Sequence, residues 1–219
     1  GDRTLQSATL GNMGWAAGMQ GDIDFAHSCH EQALSLAREV GERYQEANTL
    51  CNLSSVAIVR MEADAALQFA NQANNLARKI GERSCEAWSL LYMGYAFLLA
   101  HGYVKSRSAF HQAIRVSKIA QPNLIPEAIA GLIQLALEID DLPAASRETE
   151  KILEQMEKGN TFEGTEEPLR IYLACFQALE RLKDARSHIV LREAAQLLES
   201  QLSKLKSEEA RRMYVENVP

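Results

Sequence analysis

Residues 31–47 (EQALSLAREVGERYQEA) match residues 71–87 (NQANNLARKIGERSCEA) at a fixed offset of 40, with 10 identities in 17 positions. A period of that length between helical patterns specifies stacked helix pairs, each burying its apolar face against its neighbours. The punctuation agrees: Gly41 and Gly81 stand where a glycine ends one helix, and the following Glu-Arg opens the next. Residue types disfavour sheet. Ala (31), Leu (27) and Glu (22) supply 80 of the 219 residues, against 26 for Val, Ile and Thr together. With 12 Gly and 5 Pro the chain lacks the turn residues of a sandwich or barrel.

Small residues recur inside each period. The first unit carries Met13-Gly14, Gly21-Asp22, Ala26 and Ala33; the second carries Leu53-Ser54, Ala66 and Ala73. The third carries Met93-Gly94, Phe110 and Ala113, with Ser106 in place of the middle alanine. Gly, Ala or Ser at these spacings lets two crossing helices approach closely. This pattern resembles the tetratricopeptide repeat family. The resemblance implies an all-α, right-handed α-α superhelix of about five helix pairs plus a C-terminal capping helix. It implies one solenoid domain over 1–219, with clear repeats in 7–120 and degenerate ones in 126–157 and 169–204. The break at 158–168 separates those two, Lys183-Asp184 joins the helices of the last pair, and 207–215 forms the cap. The segments LAREVGER, EANTLCNLS, PLRIYLACFQALE and EEARRMYVENVP further resemble the C-terminal repeat region of large bacterial signalling proteins that contain an AAA-type ATPase.

Catalytic and cofactor motifs do not emerge. The glycines of 11–21 lack the Lys-Ser/Thr of a phosphate loop and the G-x-G-x-x-G of a dinucleotide loop. His27 and His30 have helical spacing for two ligands, but no third or fourth ligand is evident, so no metal is expected. Asp22 and Asp24 sit where carboxylates cap a helix start. The reading is therefore a non-catalytic chain with no cofactor. Cys29, Cys51, Cys85 and Cys175 form no CxxC pair and are expected to be buried thiols in a reducing compartment. The longest apolar run, 90–100, is shorter than the roughly 20 residues of a membrane span. Together these predict a cytoplasmic location without membrane contact, and the start at Gly1 predicts a piece of a longer chain.

Charge narrows the partner. Residues 1–120 carry 11 basic and 11 acidic residues, 126–167 carry 3 and 11, and 168–219 carry 9 and 7. No basic stripe exists to bind nucleic acid. The acidic stretch reads as a solvated surface or as a dock for a basic segment. In the resembled architecture the first helix of each pair lines the concave face. Its inward positions are Asn12, Trp15 and Met19; Asn52, Ser55 and Val59; and Tyr92, Tyr95 and Leu99. Trp15 is flanked on its face by Gly11 and Gly18, which leave the indole uncovered. Asn12 and Asn52 can hydrogen-bond an extended backbone. These positions predict a scaffold for a protein or peptide partner, or for other domains of the parent chain. The alternative is a sensor whose small-molecule or signal-peptide ligand fills the groove.

Overall fold

The computed structural model describes residues 2–217. Its helices are α1 (Arg3–Met19), α2 (Ile23–Val40), α3 (Arg43–Val59), α4 (Ala63–Ile80), α5 (Arg83–Leu99) and α6 (Tyr103–Ala120). A 3-10 turn at Pro122–Leu124 leads to α7 (Ile125–Glu138), α8 (Leu142–Glu157), α9 (Pro168–Leu182), α10 (Ser187–Lys204) and α11 (Glu208–Asn217). No strand occurs among the described residues. The chain is an all-α array of helices packed in consecutive pairs. Odd-numbered helices start at residues 3, 43 and 83 and even-numbered ones at 23, 63 and 103, which keeps the 40-residue period through α6. The final pair is joined by a longer turn than Lys183-Asp184 alone. Asp184 Oδ1 accepts the Arg186 N–H at 2.9 Å and delays α10 to Ser187. Ser207 caps α11 by accepting from Ala210 N at 3.1 Å, so that helix begins one residue later and ends two residues beyond the expected cap.

One turn geometry is used throughout. Within each pair a single residue takes the left-handed conformation: Gly21, Met61, His101, Asp140 and Lys183, with φ between 54° and 82°. The next N–H then reaches back five residues: Asp22 to Ala17 (2.9 Å), Glu62 to Ala57 (2.9 Å), Gly102 to Phe97 (2.7 Å), Asp141 to Ala136 (2.8 Å) and Asp184 to Leu179 (2.9 Å). Such a turn satisfies carbonyls that a helix end leaves without partners. Gly41 and Gly81 do the same between pairs, at φ 78° and 75°.

The residues identical between the two best-matched units now have separate causes. Ala33, Ala37 and Ala47, with Ala73, Ala77 and Ala87, are fully buried at helix crossings. Glu46 accepts from Arg38 (2.9 Å) and Arg43 (2.8 Å), tying α2 to α3. Burial alone would raise the Glu46 pKa, but these two arginines hold it below the ordinary value. Arg83 repeats the contact at Glu86 (2.8 Å), with Arg78 at 3.8 Å.

Two helices approach closely around Phe110, which has no exposed surface. Its ring lies against Gly94 of α5 and Gly131 of α7, and a methyl group on Gly94 would meet it at 2.5 Å. Gly14 meets His30 in the same way two periods earlier, at 2.7 Å. α7 is apolar nearly all round. Ala128, Leu132 and Leu135 join a core shared with α2–α6, while Ile129, Ile133 and Ala136 join a core shared with α8–α10. Replacing Gly94 by Ala is expected to cost about 1–3 kcal/mol through overpacking, more than the roughly 1 kcal/mol that alanine adds by helix propensity. Denaturant titration checks this, and Phe110→Leu in the Gly94→Ala background should recover most of the loss.

Candidate ligand-binding channel

The odd-numbered helices α1, α3, α5, α7 and α9 contribute the walls of a channel. Three cavities follow one another along it. The first, about 80 Å³, is lined by Trp15, Met19, Asn52, Ser55, Val59 and Tyr92 among the expected residues. The second, about 390 Å³, holds Val59, Tyr95 and Leu99, and the third, about 720 Å³, holds Leu99. Asn12 is exposed on α1 and lines none of the three.

Exposure divides the aromatic residues. Trp15 is 48% exposed, as its two flanking glycines imply. Tyr92 and Tyr95 are only 5% and 4% exposed, so their ring faces are not open to a partner. What covers them lies far away in sequence. The Tyr92 hydroxyl donates to Glu166 Oε2 at 3.0 Å, and Tyr92 stacks on Trp88 with centroids 5.8 Å apart. The Tyr95 hydroxyl donates to the Glu127 carbonyl at 3.0 Å, its ring meets Phe110 edge-on, and the Arg170 guanidinium lies 4.5 Å above it.

The segment between α8 and α9 therefore enters the channel. Glu166 N–H donates to the Glu127 carboxylate at 2.8 Å, and Glu167 holds the Arg170 Nε at 2.5 Å. Glu127 and Arg170 are 2% and 7% exposed. Burial, together with the charges of Glu167 and Glu166, pushes the Glu127 carboxyl up to about 8, against the opposing Glu166 N–H and Arg170. Burial also lifts Glu166 to about 7, with Glu167 adding to the rise and Tyr92 and Trp15 hydrogen bonding opposing it. Both shifts have one origin: three carboxylates share a largely dry space with one guanidinium.

At the far end, α11 crosses back to the first pair. Asn217 donates to the Gly21 carbonyl at 2.8 Å, the Met213 backbone packs on Gly21, and Asn217 lines the first two cavities. His30, 2% exposed, also lines the first cavity, and its Nδ1 has no partner. Burial, aided by the charge of His27, holds the His30 pKa down to about 4. His27 turns elsewhere, to Glu31 at 3.5 Å. Of the two aspartates at the start of α2, Asp22 accepts from Phe25 N at 3.1 Å, while Asp24 pairs with Arg60 at 2.5 Å. Among the described residues no group of three His, Cys, Asp or Glu is placed to hold a metal, and no helix is long and apolar enough to cross a membrane.

The inward tilt of Glu127, Glu166 and Glu167 could be suspected in sequence only from the acidic excess of 126–167. Their meeting with Arg170 has a thermodynamic signature. Both carboxyls bind their protons more tightly in the folded chain than the ordinary value of 4.5 allows, so stability falls as pH rises through about 7 and 8. His30 has the opposite sign, but its effect is confined between about 4 and 6.5. Thermal midpoints should therefore drop by a few degrees from pH 6.5 to about 8, and Glu127→Gln should flatten that drop. A midpoint that rises over the same interval would contradict the buried acid cluster.

No protein-family model matches the chain, and no curated protein matches it. A solved structure does: aspartyl phosphate phosphatase F from Bacillus subtilis superposes with a TM-score of 0.72 at 13% sequence identity. The match covers 93% of this chain and 52% of that one, so the chain spans about half the length of that protein. At this identity the likeness shows the fold, that of a helical repeat protein.

Proposed function

We propose that the chain, as one solenoid domain over 1–219, is a non-catalytic array of the tetratricopeptide type that binds a peptide or protein segment in its concave channel. It would serve as the interaction arm of a larger bacterial regulator, with the partner supplied by another protein or by another domain of the parent chain. The observation that carries this reading is the half-exposed Trp15 at the mouth of a channel lined by five successive odd-numbered helices. Large rings bordered by small cavities are where binding energy concentrates. Asn52 beside Trp15 supplies an amide for a peptide backbone, and Ser55 and Val59 extend the same wall. The fold likeness to the Bacillus phosphatase is consistent with such a role without assigning a partner.

A small-molecule or signal-peptide sensor is the second reading. The contact of α11 with Gly21 favours it, because a ligand touching both Trp15 and Asn217 would bridge the two ends of the array. Peptides selected from a random display library on the chain provide the test. The Trp15→Ala, Asn52→Ala double variant should bind them about a thousandfold more weakly with unchanged helix content, since each hot-spot truncation costs about 2 kcal/mol. Equal binding by the double variant would remove the channel from consideration.

A further inference from the structure

The wall of the first cavity is divided chemically. Gly14, Gly18, Ile23 and Val56 make much of it apolar, while Trp15 presents an exposed ring and Glu166 a carboxylate. Arg170 is the only Lys or Arg among the described residues lining the first two cavities, and Glu167 already holds it. Glu166 and Glu127 therefore have no cation of their own. A second observation points the same way. His30 lines this cavity almost fully buried, and its Nδ1, packed against Gly14, has no hydrogen-bond partner.

We infer that this cavity is a subsite for an alkylguanidinium or alkylammonium group, its charge at Glu166, its methylenes against the apolar wall and its cationic face under the Trp15 ring. The inference rests on the reading of the channel as a ligand-binding groove and names the chemistry of one guest position. Other guests fit less well. An anion would meet Glu166 and Glu167 with no Lys or Arg among the described residues of the cavity wall. An uncharged apolar group would strip water from Glu166 without replacing its partners, which is unfavourable for a buried charge. Size agrees: about 80 Å³ holds the end of a lysine or arginine side chain, given that a water occupies roughly 10–15 Å³ on the same scale. An indole face and a carboxylate together are a recurrent cage for such cations.

Calorimetric titration of the chain with three blocked pentapeptides, differing only in a central arginine, citrulline or norleucine, and with agmatine as a free amine tests this. The arginine peptide should bind at least about tenfold more tightly than the citrulline peptide, the difference expected for hydrogen bonding to a charge. Glu166→Gln, which keeps an amide oxygen for the Tyr92 hydroxyl, should abolish that preference, and Glu163→Gln on the exposed part of the same segment should leave it intact. Trp15→Leu, which removes the half-exposed ring, should also reduce the arginine-to-citrulline ratio. Agmatine binding as tightly as the arginine peptide would support the cationic subsite with a free amine as its source. Equal binding of arginine and citrulline peptides, an unchanged preference in Glu166→Gln, or no binding of any probe would each overturn the inference. If all three peptides bind alike and depend on Trp15, the groove stands and the cationic subsite alone falls.

Discussion

The left-handed turn residue between paired helices is the constraint on which the rest of this structure depends. A helix that stops at Met19, Val59, Leu99, Glu138 or Leu182 must reverse within a few residues, and in each case one positive-φ residue and one backward hydrogen bond do it. Repeating that reversal at nearly constant intervals places odd-numbered helices side by side, and close crossings at alanine and glycine then set how tightly successive pairs pack. Gly21, Gly41 and Gly81 take these φ values without steric cost; Met61, His101, Asp140 and Lys183 take them with side chains attached. The geometry is thus imposed by helix termination and packing together, since residue preference alone would not choose methionine or histidine there.

Curvature produces the channel, and the channel produces the unusual electrostatics. Because the inner helices bend around a common space, the α8–α9 segment and α9 come within hydrogen-bonding distance of α5 and α7. Two tyrosines that would otherwise face the groove become its structural lining, and carboxylates that would otherwise be solvated lose water. Their raised proton affinities and the near-absence of cations are one fact seen twice: carboxyl groups have been enclosed without an equal number of cations, so burial favours their protonated forms.

How much of this the amino-acid order reveals depends on the range of the interaction. The period, the caps at Gly41 and Gly81, the buried alanines and the exposure of Trp15 follow from residues within one or two helical turns of each other, so spacing displays them. His30 and Phe110, 80 residues apart, each pack against a glycine of the preceding helix. The covering of Tyr92 by Glu166 spans 74 residues, and Asn217 reaching Gly21 spans 196. Helical spacing puts both tyrosines on one face of α5 but carries no information on what a later loop does there. Arg170 and Glu127 were invisible as a pair because their relation exists only through the curvature of the intervening helices.

That curvature also links occupancy to shape. In an array held mainly by contacts between neighbouring helices, pitch responds to small changes at each interface. Here two long-range contacts limit the response, one through the Glu127, Glu166 and Arg170 cluster and one through α11 at Gly21. Residues from both, Glu166 and Asn217, face the same first cavity as Trp15. A guest that interacts with them differently in tight and relaxed forms must shift the pitch, and by reciprocity a change in pitch must alter the affinity for that guest. The coupling needs no separate relay, because the groups that close the superhelix are also groups that line its cavity.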